Sequence, residues 1–292
     1  MFLIVSKFIH SYFSRPYLSK DNRWQLQNEH FTALWLFALS MEYVHQSNHE
    51  IVLFTDDYGK TLFDGLGYDK LFTDLNQLQN LNFHERFWAA GKVIALQNSP
   101  VGDVHIDGDV FLKNEKLCRD ILNADCDLIV QNSEYAFIEE HEDLHTIYWH
   151  TYTLLEKIMS DFQSIVEKHR WGLCCGIVGL KKAELKDKFC VGYFENLRKI
   201  HKYDLELLSQ CSSPDLIFEQ LYLYQCVKET NAKIELLLGN GWDENSDKKA
   251  TEKGYCHLIA GAKTTELQKV KDRLMELNPE LYNKVLQLTI SS

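Results

Sequence analysis

Four consecutive apolar residues, Ile51-Val52-Leu53-Phe54, stand between the polar pairs His49-Glu50 and Thr55-Asp56. A run so short and uninterrupted offers no polar face to water, so it predicts a β-strand covered on both sides, as in a parallel sheet. Such a strand needs helices packed above and below it, and the chain supplies them in alternation. Ahead of it, Trp24, Phe31, Leu34, Trp35, Ala38, Met41 and Val44 recur at spacings of three, four and seven, and Leu36, Phe37 and Leu39 widen the stripe. That pattern predicts a long helix with a broad buried face. Residues 1–10 read as the first strand. Residues 59–68 predict a short helix closed by Gly65 and Gly67, 84–98 a further helix and 101–107 the next strand. Beyond these, 114–123 reads as helix, 126–132 as strand, 148–169 as a strongly periodic helix and 171–180 as strand. Helices are expected over 185–200 and 216–227, and a strand over 233–238. The stretch 239–254, rich in Gly, Asn, Asp and Lys, reads as a mobile loop. A strand over 255–260 and two terminal helices follow. The expectation is a single α/β domain over 1–292, with a mixed, mostly parallel sheet flanked by helices and further helices at the C-terminal end.

Composition narrows the function classes. The formal net charge is -11 and no run of clustered Lys and Arg interrupts it, which argues against nucleic acid as a partner. A phosphate ester would need a cation beside it. The eight cysteines include no Cys-x-x-Cys pair and no zinc spacing, and they read as reduced thiols of a cytoplasmic protein. No apolar stretch reaches the roughly 18 residues of a membrane span. The segment Lys7 to Arg23 mixes Lys7, Arg15, Lys20 and Arg23 with Phe8, Tyr12, Phe13 and Tyr17. It reads as a loop packing aromatics on the domain, with peripheral membrane contact as the most it would support.

The chemistry is expected at Asp107-Gly108-Asp109, set between Val104-His105-Ile106 and Val110-Phe111-Leu112. One reading is a β-hairpin, because Asp-Gly between apolar runs is a strong turn signal. The other is that a strand delivers both acids to the carboxyl edge of the sheet, where open α/β sheets bind ligands, with Gly108 letting the backbone turn. Two hard carboxylates so placed suit Mg²⁺ or Mn²⁺ with substrate phosphates completing the shell. Asp56 and Asp57, ending the preceding strand, are candidates for donor contact or for a helix cap. His105 would share the face of Asp107, and Trp88 would pack beside Lys92.

The segment His105 to Leu112, preceded by about a hundred residues of βαβ pattern, resembles the Asp-x-Asp signature of GT-A glycosyltransferases, and the wider pattern is similar to the glycogenin-type retaining enzymes. The resemblance runs in order from about residue 1 to 265. It implies a GT-A, Rossmann-like fold in which 1–113 binds the nucleotide sugar, 114–265 carries the acceptor part and the C-terminal metal motif, and 266–292 forms terminal helices. It implies that Asp107 and Asp109 hold Mn²⁺ (or Mg²⁺), that His257 completes the metal site, and that Lys263, six residues on, contacts the diphosphate with Gly261 beside it. Lys92 falls where related enzymes carry a basic residue reaching the donor, and Glu219-Gln220 where they carry an acidic-Gln pair near the acceptor. The chain departs from the family at Cys174, where Asn is usual, at Ala260, where Gly is usual, and at Thr264-Thr265, which replace Pro-Trp.

The function so implied is metal-dependent transfer of a sugar from a nucleotide-diphosphate sugar, UDP-sugar first, to a hydroxyl of a carbohydrate or glycolipid acceptor in glycan or polysaccharide synthesis. Two other classes remain. A phosphohydrolase of the haloacid dehalogenase type also carries Asp-x-Asp after an apolar strand, though normally on the first strand of its core. A non-catalytic nucleotide-sugar or glycan binder on the same fold would carry the same residues.

Overall fold

The computed structural model describes residues 6–19, 29–81, 86–137, 147–159, 161–200, 213–241, 246–259 and 261–290. The expected strand positions 1–5, as well as Trp24, Lys20, Arg23, Ala260 and loop positions 242–245, lie outside the described residues. Nine strands are described: β1 (Phe8–Tyr12), β2 (Ile51–Thr55), β3 (Lys70–Phe72), β4 (Val104–Ile106), β5 (Val110–Leu112), β6 (Leu128–Tyr135), β7 (Trp171–Leu180), β8 (Ile234–Leu236) and β9 (Tyr255–His257). Seven form one sheet in the order β3-β2-β1-β4-β7-β6-β8, and β5 pairs with β9 in a second, small sheet. Within the large sheet every pairing is parallel except the two made by β7, which runs against β4 and β6. This is a mixed, mostly parallel, Rossmann-like α/β fold.

Both faces of the sheet are covered, as the apolar run at Ile51 requires. Successive residues of β2 divide between two cores: Val52 and Phe54 face one, Ile51 and Leu53 the other. The first core is closed by helices Ala90–Asn98, Ile147–Ile158, Ala183–Ile200 and Tyr222–Thr230, and the second by Glu29–Gln46, Glu115–Leu122, Leu267–Leu277 and Pro279–Ile290. Helix Glu29–Gln46 is buried nearly all round, the state expected of a helix apolar on every side. The two C-terminal helices cover its outer face. Trp35 packs on Tyr282 at 5.2 Å between ring centroids, Arg273 Nε donates to the Tyr43 hydroxyl at 3.0 Å, and Asn278 Nδ2 donates to Glu42 Oε2 at 2.9 Å. Near the N-terminus, Phe8, Tyr12 and Phe13 are buried and Tyr12 stacks on Tyr17, so the aromatics of that segment serve the core.

Several elements differ from the sequence expectations: Ser14–Leu18, expected within a loop, is a short helix, the helix expected over 84–98 is described as Ala90–Asn98, and β3 is an edge strand the pattern did not signal. Positions 246–253, expected in a mobile loop, form the helix Ser246–Lys253: Ala250 packs into the second core, and Gly254, at φ +75°, ends the helix. Polar composition hid a helix whose apolar contact is a single alanine. The helix expected over 148–169 stops at Ile158, and a 3-10 turn, Phe162–Ser164, swings Phe162 inward against Tyr152. Leu216–Leu221 is a π-helical turn leading into Tyr222–Thr230.

Helix Glu29–Gln46 also reaches the acidic tip. A Cβ on Gly108 would lie 2.1 Å from ring atoms of Phe37, so close approach of that ring, not a positive φ, demands glycine. We expect Gly108→Ala to destabilise the fold by about 1–3 kcal/mol, the usual cost of overpacking. Pairing it with Phe37→Ala should cost less than the two single losses added, read as a coupling in urea denaturation.

Candidate metal centre

Asp107 follows the last residue of β4, and its N–H donates to the Gly176 carbonyl of β7 at 2.9 Å. Val110 N–H returns to the Asp107 carbonyl at 2.9 Å, closing a tight turn about Gly108. This is no hairpin, because β4 lies in the large sheet and β5 in the small one. The turn carries the chain between sheets and leaves both acids at the carboxyl edge of β4. The small sheet then brings in the far end of the sequence: Val110 pairs with His257, and Leu258 N–H donates to the Asp109 carbonyl at 3.0 Å.

The three groups converge. Asp107, Asp109 and His257 each present one ligand atom, and these atoms all lie within 4.8 Å of one another. His257 Nε2 is 3.4 Å from Asp109 Oδ1, and Lys263 Nζ is in direct contact with Asp109 Oδ2. Two carboxylates and an imidazole form a mixed oxygen and nitrogen donor set of the kind that could hold a divalent cation. Burial alone would raise the Asp109 carboxyl, but Lys263 and His257 outweigh it and hold the group well below the usual carboxylate range. The charge of Asp109 is met by an internal cation, Lys263.

Residues 6–288 match the model of DUF6734, a family of unknown function. The chain belongs to the DUF6734 family. No curated protein matches it.

In this DUF6734 chain a second charged cluster borders the first. Lys92, on helix Ala90–Asn98, is buried and places Nζ 2.8 Å from Asp107 Oδ1, 2.8 Å from Glu219 Oε1 and 2.9 Å from the Cys175 carbonyl. Burial alone would lower the Lys92 ammonium, but Asp107 and Glu219 outweigh it and raise it above the ordinary lysine value. Nζ donates to the Cys175 carbonyl and lies within ion-pair distance of both carboxylates. In this conformation Lys92 thus holds Asp107 and Glu219 together. Glu219 is 1% exposed and sits on the π-helical turn, a distortion frequent at functional sites. The Tyr148 hydroxyl, with one hydrogen to donate, lies within hydrogen-bond reach of both Gln220 Oε1 and Glu134 Oε2, the latter at 3.0 Å. Asp215 joins the carriers of this cluster by accepting from Ala89 N–H and from the Tyr193 hydroxyl, both at 2.8 Å.

Other expected site residues lie outside the convergence. Asp56, fully buried, caps helix Asp57–Phe63 through Gly59 N–H and also accepts from Ser14 N–H, Ser14 Oγ and Gln79. Its oxygens are committed to structure, the capping alternative of the sequence reading. Asp57 is exposed and exchanges hydrogen bonds with Asn76. Both stand on the same sheet edge as Asp107 but two strands across, about 10 Å by the usual strand spacing. Gly261 is exposed, and a Cβ there would meet nothing. His105 lies beside Asp107, its Nδ1 3.7 Å from Oδ1, with Nε2 bonded to Ser11 Oγ at 2.8 Å. Burial pushes its imidazole well below the ordinary value, with Lys92 adding to the effect, so it is a neutral neighbour. Trp88 stands 5.7 Å from Lys92 Nζ. Cys174 pairs across the sheet with Asn132. Sequence reasoning missed Gln131, Tyr255 and Gly176, which support His257, and Asp215. The available signal was polar: Gln131-Asn132 ends the apolar run Leu128-Ile129-Val130 and opens a polar half of the strand.

Replacing Lys92 by Met would leave Glu219 a buried carboxylate facing Asp107 with no cation between them. Removing one partner of a buried ion pair costs about 3–5 kcal/mol, and we expect a loss of that order in urea denaturation. Adding Glu219→Gln to Lys92→Met should recover a large part of it.

Proposed function

We propose that this protein is a metal-dependent glycosyltransferase of GT-A type, moving a sugar from a nucleotide-diphosphate sugar, UDP-sugar first, to a hydroxyl of a carbohydrate or glycolipid acceptor in glycan or polysaccharide synthesis. The observation that carries this reading is the convergence of Asp107, Asp109 and His257 within 4.8 Å at the sheet edge, from distant parts of the chain, with Lys263 in contact. Isolated acidic clusters are common; an acid pair joined by an imidazole and a buried lysine at the ligand-binding edge of an α/β sheet is a more specific arrangement.

Bound between Asp107, Asp109 and His257, a divalent cation would supply Lewis-acid stabilisation of the diphosphate leaving group. The residues do the rest. Among Asp107, Asp109, Glu219, Lys92 and Lys263, three carboxylates face two ammonium groups, leaving one negative charge to attract a cation. Lys263, released from Asp109 when that carboxylate takes a new partner, is the second positive centre for the departing diphosphate. Lys92, buried and ion-paired with both Asp107 and Glu219, keeps Asp107 in place. Glu219, buried behind Lys92, acts in this conformation by orienting that lysine, and Gln220 and Tyr148 line up beside it. The acidic surface of the chain is no obstacle to an anionic donor, since the cation reverses the local sign.

A cytoplasmic location belongs to the same proposal: the described cysteines are all free thiols, and no helix among the described residues is long and apolar enough to cross a membrane.

A thermal-shift screen of nucleoside diphosphates with and without Mn²⁺ tests the reading. A ligand bound only by the folded protein adds about 2.7 kcal/mol at a hundredfold excess over Kd. We expect one nucleotide to raise Tm only together with Mn²⁺, and Asp107→Ala to remove that rise while leaving the ligand-free Tm within a few degrees. Release of the same nucleotide from its sugar ester should fall by about a hundredfold in that variant, the equivalent of roughly 3 kcal/mol. Asp107-dependent release of phosphate from an aryl phosphate would instead support a phosphohydrolase. Joint binding of nucleotide and Mn²⁺ without any release would support a binding protein.

A further inference from the structure

Gln131 is fully buried at a break in the β6–β7 ladder, where the register passes from Val130 opposite Val178 to Asn132 opposite Cys174. Such a bulge re-aims one side chain. Here it aims an amide at the C-terminal strand: Gln131 Oε1 accepts from the Tyr255 hydroxyl at 2.5 Å and from His257 Nδ1 at 2.8 Å. Gly176 leaves the space for this. A Cβ at that position would lie 2.4 Å from Gln131 Oε1 and 2.8 Å from Cε1 and Nδ1 of His257. The amide nitrogen of Gln131 has no hydrogen-bond partner among the described residues. The side chain is thus held by its accepting oxygen alone, although a buried polar group left half-satisfied is costly.

An amide oxygen only accepts, so a ring nitrogen bonded to it carries the hydrogen. With Nδ1 as donor, the nitrogen facing Asp109 is Nε2, 3.4 Å from Oδ1. The partner of one ring nitrogen decides what the other offers a metal. We propose that Gln131 is a positioning residue: by accepting from Nδ1–H it fixes the orientation of His257 and directs Nε2 as the free donor toward a divalent cation shared with Asp107 and Asp109. The inference rests on the metal reading above and adds to it a group that the Asp-x-Asp resemblance does not contain. Tyr255 donates to the same oxygen, which His257 and Tyr255 therefore share as acceptor.

Titrating the full chain with Mn²⁺ by calorimetry, with and without UDP, separates the outcomes. Gln131→Leu and Gln131→Met fill similar space without an acceptor, and either should weaken Mn²⁺ binding by about 10–100-fold, the usual cost of losing such a partner. Gln131→Glu restores the acceptor and should bring affinity to within a few-fold of wild type. A residue needed only for packing would give the reverse order, with Met best tolerated and the buried charge of Glu worst. Wild-type affinity in the Met or Leu variant, or affinity in the Glu variant as weak as theirs, would overturn the inference while leaving the metal reading standing. A wild-type protein that binds no Mn²⁺ under either condition would overturn both. Circular dichroism of each variant identifies any that fails to fold, and two apolar substitutions keep the comparison available if one does.

Discussion

The structure turns on the contact between Asp109 and Lys263. Both groups are buried, and a charge taken out of water is tolerated only with a partner at close range. The pair can form only if the β4–β5 turn and the segment after β9 are brought together, which the small β5–β9 sheet accomplishes. The same logic governs Lys92, which sits between Asp107 and Glu219 and so ties the turn to the π-helical turn on the opposite side of the sheet edge. Two lysines thus hold in place the acids that a divalent cation would need. Buried acids without a cation must be neutralised some other way, and here two internal lysines do so.

Packing makes the site precise where electrostatics alone would not. Phe37 presses on Gly108 from helix Glu29–Gln46, and Ser40 on the same helix donates to the Val110 carbonyl at 2.6 Å while meeting His10 Nε2 at 3.1 Å. Burial lowers the His10 imidazole to about 3, with Asp109 opposing weakly, so the ring serves as a neutral hydrogen-bonding strut under the turn. On the far side, Gly176 lets Gln131 and His257 approach. Glycines on two sides of the centre are therefore there for room, which explains why neither needs an unusual φ.

The layered fold was legible because its signals are local. A doubly buried strand such as Ile51–Thr55 shows as an unbroken apolar run, and an all-round buried helix such as Glu29–Gln46 shows as a stripe too wide for one face. Asp107-Gly108-Asp109 stood out locally as a candidate ligand pair but also as a hairpin tip, and His257 was a candidate only through resemblance to a motif. What decided against the hairpin was the pairing of β5 with β9, a contact between distant parts of the chain that periodicity does not encode. Gln131 was hidden for the same reason: its meaning depends on a bulge and on a histidine from another strand. The helix Ser246–Lys253 was missed because a solvated polar helix and a polar loop have nearly the same composition.

Anomalous diffraction from a crystal soaked in Mn²⁺ and UDP tests the central claim most directly. The account predicts one strong peak about 2.0–2.3 Å from a carboxylate oxygen of Asp107, one of Asp109 and Nε2 of His257, distances typical of small divalent ions and imidazole ligands. It also predicts that Lys263 has moved from Asp109 to a phosphate oxygen. No peak at these residues, with Lys263 still on Asp109 beside bound UDP, would contradict it.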